Sequence, residues 1–231
     1  MIIFQMPTFH MTAISLDFEI AVINAISSVF PNATLQGCLF HLVQNIRRKL
    51  VDEGLISRYN KDADFALKTR MIAALAFVPI EELERSFGVL SNSLSQEFTP
   101  ILDYFEDYYI GRMLRNNVRR QPLFNPAMWS CYLRTINNEC RTNNFAEAAH
   151  RKLKREFGAD HPSLWKFIDG LRMIQKSVDQ LYEQFLRGDQ HTPKRKKYIL
   201  ADERILEVVN DFENGELLEF VRGIAYNFVM D

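Results

Sequence analysis

Apolar and polar positions alternate with two different periods along this chain. TAISLD at 12–17 reads as a short strand that ends on an acid. FEIAVINAISSVF then places Ile20, Ile23, Ala25, Ile26 and Val29 near helical spacing, with Pro31 just past the helix end. NATLQGC at 32–38 holds Thr34 and Leu35 before a glycine and suits a second strand. LFHLVQNIRRKLVDEG has the pattern of an amphipathic helix with Leu42, Ile46 and Leu50 inward, Arg47, Arg48 and Lys49 near its end, and Gly54 as the C-terminal stop. From there the helical period dominates: 62–78, 80–96 and 100–116, separated by Pro79 and Pro100, then a proline-punctuated loop, RRQPLFNPAMW, at 119–129. Further helices are expected at 143–157 and, after His161-Pro162, at 163–187. GDQHTPKRKKY at 188–198 reads as a linker, and helical patterns at 201–212 and 215–229 close the chain. The expected fold class is mainly α with a small β component: strand, helix, strand, helix, then a large helical mass.

Composition narrows the class without naming a partner. The chain has 231 residues, 47% hydrophobic and 25% charged, which predicts a packed core rather than disorder. Lys+Arg 28 against Asp+Glu 29 gives a net charge of -1, so any nucleic-acid surface has to come from local clustering. Cys38, Cys131 and Cys140 are few and odd in number, which suits a reducing compartment and argues against a disulfide scaffold. MIIFQMPTFHM lacks a basic n-region and a long apolar stretch, so no signal peptide is expected, and no apolar run is long enough for a membrane span.

Several residues carry candidate chemistry. Asp17, at a strand end just before a helix, is either an N-cap or a metal ligand at the carboxyl end of a strand, where α/β sheets place their sites. Cys38 and His41 form a Cys-x-x-His at the second strand-to-helix junction; zinc needs two more ligands, and Cys131, Cys140, His150 and His161 show no zinc-finger spacing. In INNECRTNNFAEAAHRKLKR, Asn143 or Asn144 can cap a helix that carries Glu147 in its first turns. Glu147 lies four residues before Arg151, the spacing of an ordinary surface pair, yet it sits beside the stripe of Ala146, Ala149, Leu153 and Phe157. Arg112, Arg115, Arg119 and Arg120 cluster before QPLFNP, and Lys194, Arg195, Lys196 and Lys197 form a compact basic run. Each reads either as solvated surface or as a phosphate contact, and the second run also as a nuclear-import signal.

Taken in order, these segments resemble the Mutator-like (MULE) transposases of the DDE superfamily. LDFEIAVINAISSVFPNATLQGCLFHLVQNIRRKL is similar to the family's second-aspartate segment, with its Phe-Pro, Gly-Cys-x-x-His and basic helix. LISRYN, ALAFVP and YFEDYYIG resemble its helical insertion, RTNNFAEAAHRKLK the segment with the last catalytic glutamate, and HPSLWKFIDGL the helix after it. The resemblance implies an RNase H-like core in residues 1–187 with a helical insertion at about 54–138, a basic linker at 188–198 and a C-terminal helical segment at 199–231. It implies DNA as partner, the nucleus (otherwise the cytoplasm) as compartment, and Asp17 and Glu147 as catalytic residues and ligands of Mg²⁺ or Mn²⁺. Cys38, His41, Asn143, Asn144 and His150 are then supporting or DNA-positioning residues.

One part of the pattern is missing. The family's first catalytic aspartate belongs on an upstream strand, and residues 1–16 contain no Asp or Glu. The expectation is therefore a core truncated to about two strands and no catalysis by the chain alone. Two other classes stay open: a non-catalytic helical DNA-binding or protein-interaction module, and a zinc-stabilised helical domain using Cys38 and His41.

Overall fold

A computed structural model describes residues 11–115, 118–142, 144–158, 161–189, 196–213, 215–228 and 230. The protein is mainly helical with one two-stranded parallel sheet. It forms two compact units: one runs to Thr142 and resumes at Leu200, and the other is Asn143–Ile199.

The first unit opens with β1 (Ala13–Leu16), α1 (Ile20–Val29), β2 (Thr34–Gly37) and α2 (Leu39–Asp52). The strands pair in parallel, Ala13 opposite Thr34 and Leu16 opposite Gly37. The ladder continues one step past each end, through Thr34 N–H to Thr12 O at 2.9 Å and Cys38 N–H to Leu16 O at 3.0 Å. Parallel strands need a crossover, and α1 supplies it. At Gly37 the strand runs close under Phe18: a Cβ there would lie 2.9 Å from the ring and would have to displace it.

In α2, Leu42, Ile46 and Leu50 are fully buried, as their spacing predicts, and Gly54 takes φ 70 just past the helix end. The helical mass follows as α3 (Ile56–Lys61), α4 (Ala63–Ala74), α5 (Leu83–Ser93) and α6 (Thr99–Phe105), with two 3₁₀ turns between α4 and α5 and one between α5 and α6. Asp62 caps α4, its carboxylate accepting from the Asp64 and Phe65 amides at 3.1 Å each. Those two bonds, the Phe65 amide first, hold the Asp62 carboxyl below the usual range.

The helix expected over 100–116 stops at Ile110. After Phe105 it widens into a π turn, Glu106–Ile110, and Gly111 then adopts φ 93. A Cβ at Gly111 would sit 1.8 Å from the Arg120 carbonyl oxygen, so only glycine permits the chain to fold back here. The returning strand touches at one antiparallel bridge, Met113 with Arg119. Helical periodicity beyond 110 has no helix to express it, because the backbone reversal sets the local geometry.

The proline loop ends in a short helix, α7 (Pro126–Trp129), and a second, α8 (Tyr132–Ile136), follows it. Asn125 caps the first through Ala127 N–H at 2.9 Å. Trp129 is buried and donates from its indole nitrogen to the carbonyls of Tyr109 and Phe124, 3.2 Å each. Tyr109 stacks on Phe105 and meets Phe18 and Trp129 edge-on, an aromatic cluster joining the sheet layer to the helices. Asn45 donates to the Tyr109 hydroxyl at 3.0 Å. Burial pushes the Tyr109 and Tyr104 phenols up.

The second unit contains α9 (Asn144–Phe157) and α10 (Leu164–Leu186), with Ser163 capping the latter. The helix α11 (Lys196–Asn210) begins there and continues into the first unit, where α12 (Leu217–Ala225) packs on α4.

Candidate functional site

The carboxyl ends of the two strands bring Asp17 and His41 together. Asp17 follows β1 directly and does not cap α1, where Glu19 occupies the cap position. Asp17 Oδ1 lies 2.9 Å from His41 Nδ1, the carboxylate half-exposed and the imidazole largely covered. Cys38 occupies the cap position of α2 and is fully buried, one turn before His41. Phe18 anchors the site from below, its ring 4.9 Å from Phe124 and 5.5 Å from Tyr109.

The segment that leads into α9 returns to the same strand end. Arg134 is buried and donates to the Gly37 carbonyl at 2.9 Å and to the Cys140 carbonyl. Leu39 N–H, at the start of α2, donates to Arg141 O at 2.9 Å. Gln36 donates to Glu139 at 3.3 Å. Arg141 in turn pairs with Asp202 and lies over the Phe77 ring at 5.5 Å. After about ninety residues of helical excursion the backbone is thus tied to the end of β2, three positions before Asn144 opens α9. Neither Arg134 nor Arg141 stands out by helical periodicity. Arg134 did carry one signal: it is the only charged residue in 121–138.

Glu147 lies on α9, but its side chain and those of Asn144 and His150 are outside the described residues, as is Asn143 altogether. Among the described residues no group of three His, Cys, Asp or Glu is assembled. Asp17 with His41 alone does not fit a Mg²⁺ or Mn²⁺ site, since hard cations of this kind need several oxygen donors. Cys38 and His41 likewise make no four-ligand zinc site with described residues.

The arginine cluster is held by acids. Arg112 grips Asp107 with two bonds, at 2.8 and 2.9 Å, and reaches Asp103 at 3.3 Å. Arg119 pairs with Glu106 at 2.7 Å and Glu84 at 3.1 Å, and also donates to Gly111 O at 2.6 Å. Arg120 reaches Asp107 at 3.5 Å, while Arg115 is exposed. Asp107 raises the pKa of Arg112. In the basic run, Lys196 is exposed at the start of α11; Lys194 and Arg195, and the Lys197 side chain, are outside the described residues.

Burial also separates the cysteines. Cys131 is fully buried, and loss of solvent pushes its thiol up to about 11 against the opposing pull of Arg134 and Arg141. Cys140 is exposed.

Fold and site together define a mainly helical protein with a two-stranded parallel β layer that presents an acid–imidazole pair at its carboxyl end. No family model, curated protein or solved structure matches the chain. Among the described residues no helix is long and apolar enough to cross a membrane.

Proposed function

We propose that this chain is a transposase-derived protein, related to the DNA strand-transfer domain of Mutator-like (MULE) DDE transposases, that does not cut DNA alone. The observation that carries the reading is the return of Arg134 and Arg141 to the end of β2, beside Asp17 and His41. In an RNase H-like core, the helix after the insertion has to start where the strand carboxylates are. Glu147 follows the anchored Arg141 by six residues in the sequence, as that order requires. The parallel pairing of β1 and β2, with an acid directly after the first and Cys-x-x-His after the second, supports it further.

On this reading Asp17 and Glu147 are the Mg²⁺ or Mn²⁺ ligands and DNA is the partner, in the nucleus. Two carboxylates neutralise too little of the charge of two dications, so metal binding by these 231 residues is weak. His41 orients the Asp17 carboxylate, and Phe18 and Gly37 fix the backbone beneath it.

A plasmid-nicking assay with Mg²⁺ or Mn²⁺ tests the proposal, run with the wild-type chain, a Glu147→Gln variant, and each with an added polypeptide that supplies parallel strands bearing an aspartate. The expected result is nicking only by the supplemented wild type. Nicking by the unsupplemented chain, lost in Glu147→Gln, overturns the claim of inactivity. No nicking under any condition favours the second reading, a non-catalytic interaction module. That reading draws on the carboxylates already engaging Arg112, Arg119 and Arg120, which a phosphate backbone has to displace.

A further inference from the structure

We propose that α10 is a self-association helix that pairs with α10 of a second copy of this chain as a short coiled coil. This goes beyond the transposase reading and does not depend on it. Leu164, Phe167, Leu171, Ile174, Val178, Leu181 and Phe185 recur at alternating steps of three and four, the a and d positions of successive heptads. Isolated amphipathic helices that pack on a globular core follow the looser 3.6-residue period; a sustained 3–4 alternation is the pattern of a helix that runs alongside another helix.

The N-terminal end of this seam is already used within its own unit. Phe157 of α9 lies 5.2 Å from the Phe167 ring and presses on Gly170, where a Cβ would come within 2.4 Å of it. Beyond Gly170 most of the seam is exposed: Leu171 is 43% exposed, Val178 50%, Leu181 53% and Phe185 61%, while Ile174 is half-buried. From Leu171 to Phe185 it is about 21 Å long at the rise of an α-helix.

The occupant follows from charge and from the other helices. Every charged residue of α10, from Lys166 to Glu183, falls at an outer b, c or f position. The flanking e and g positions hold Ile168, Gly170, Gln175, Ser177, Tyr182 and Gln184, all uncharged. Two identical helices therefore meet without like-charge repulsion along their edges, and an oppositely charged partner finds nothing there to read. Within the chain, the described helices of comparable length are committed: α2 buries Leu42, Ile46 and Leu50, α9 already packs on α10, and α11 buries Ile205 and Val209. A second copy of α10 supplies a matching stripe of the same length, and a two-fold pairing of identical patches closes on itself.

Sedimentation velocity of the full chain, across roughly 1–100 μM, reads the association. The expected species at the upper end is twice the 27.0 kDa chain mass. The double substitution Val178→Glu with Leu181→Glu should weaken the dimer by at least about a hundredfold, since charges replace both central seam residues. At a concentration where the wild type is monomeric, its circular dichroism and melting temperature should match the wild-type values, because both side chains are half-exposed in the single chain. Lys176→Glu, on the outer face, should leave the dimer intact. A second readout uses Val178→Cys on a Cys140→Ser background. Position 178 is the midpoint of the open seam, close to its counterpart in either helix orientation, so oxidation should give a disulfide-linked dimer. A wild-type chain that stays monomeric throughout, a double variant that dimerises as well as wild type, or a Val178→Cys chain that forms no interchain disulfide each overturns the proposal.

Discussion

The first crossover helix and the first helix of the bundle invite comparison, since both are short and rich in apolar residues. α1, IAVINAISSV, has seven apolar residues in ten and none buried. α4, ADFALKTRMIAA, carries three charged side chains and buries seven residues, Thr69 among them. The difference lies in the neighbours. α4 is covered by α12, α3 and α2, whereas α1 crosses a sheet of two strands that offers one narrow face. Hydropathy states what a segment can bury; the elements packed against it decide what it does bury. Thr69 makes the point from the other side: it sits fully buried because its hydroxyl donates to Phe65 O at 2.9 Å, one turn back.

The contrast between a committed helical core and a thin β layer can be broken by substitution. The largest loss is expected at Trp129, where the ring and its two carbonyl bonds join the aromatic cluster. Trp129→Ala should cost about 3–5 kcal/mol, read as a drop in the urea midpoint at unchanged slope. Gly111→Ala should cost about 2–3 kcal/mol in the same titration, because the new Cβ meets the Arg120 carbonyl in a left-handed backbone. Arg134→Met keeps the volume and removes the bonds to the Gly37 carbonyl at the strand end and to the Cys140 carbonyl. A loss of about 2 kcal/mol is expected, with faster proteolysis between 137 and 142 as the sign that this segment has been released.

Cys131 sharpens the comparison by pH. Its thiol pKa is raised from 9.0 to about 11 in the folded protein, chiefly by burial. The neutral thiol therefore contributes stability that is complete below about pH 9 and is lost as pH rises toward 11. Relative to a Cys131→Ala variant, wild type should lose about 2 kcal/mol across that window. A flat difference between the two would show that the thiol is not desolvated. The smallest effect belongs to the β layer: Val22→Ser on α1 should change stability by no more than about 0.5 kcal/mol. A loss near that of Trp129→Ala would show that α1 is covered after all.

The order strand, helix, strand, helix was legible in the sequence because it rests on local period and punctuation: TAISLD before Asp17, Gly37 before Cys38, Gly54 after α2. So was the inward stripe of Leu42, Ile46 and Leu50. The end of α6 was not, since the periodicity runs on past Ile110 and only the fold-back of the Arg120 carbonyl onto Gly111 explains the stop. The arginine cluster read either as solvated surface or as a phosphate contact, and its acidic partners went unseen, because Glu84 and Glu106 approach Arg119 from 35 and 13 residues away and no local pattern encodes such pairing. The sequence by itself determined where helices and strands could form, which is a matter of backbone propensity and of which face each segment makes apolar. Only the tertiary structure decided that Asp17 meets His41, that Arg134 ties the end of the excursion to β2, and that no residue of α1 is fully buried. Contacts between residues distant along the chain depend on how whole elements stack, and the energy of burial belongs to the pair that meets rather than to either segment.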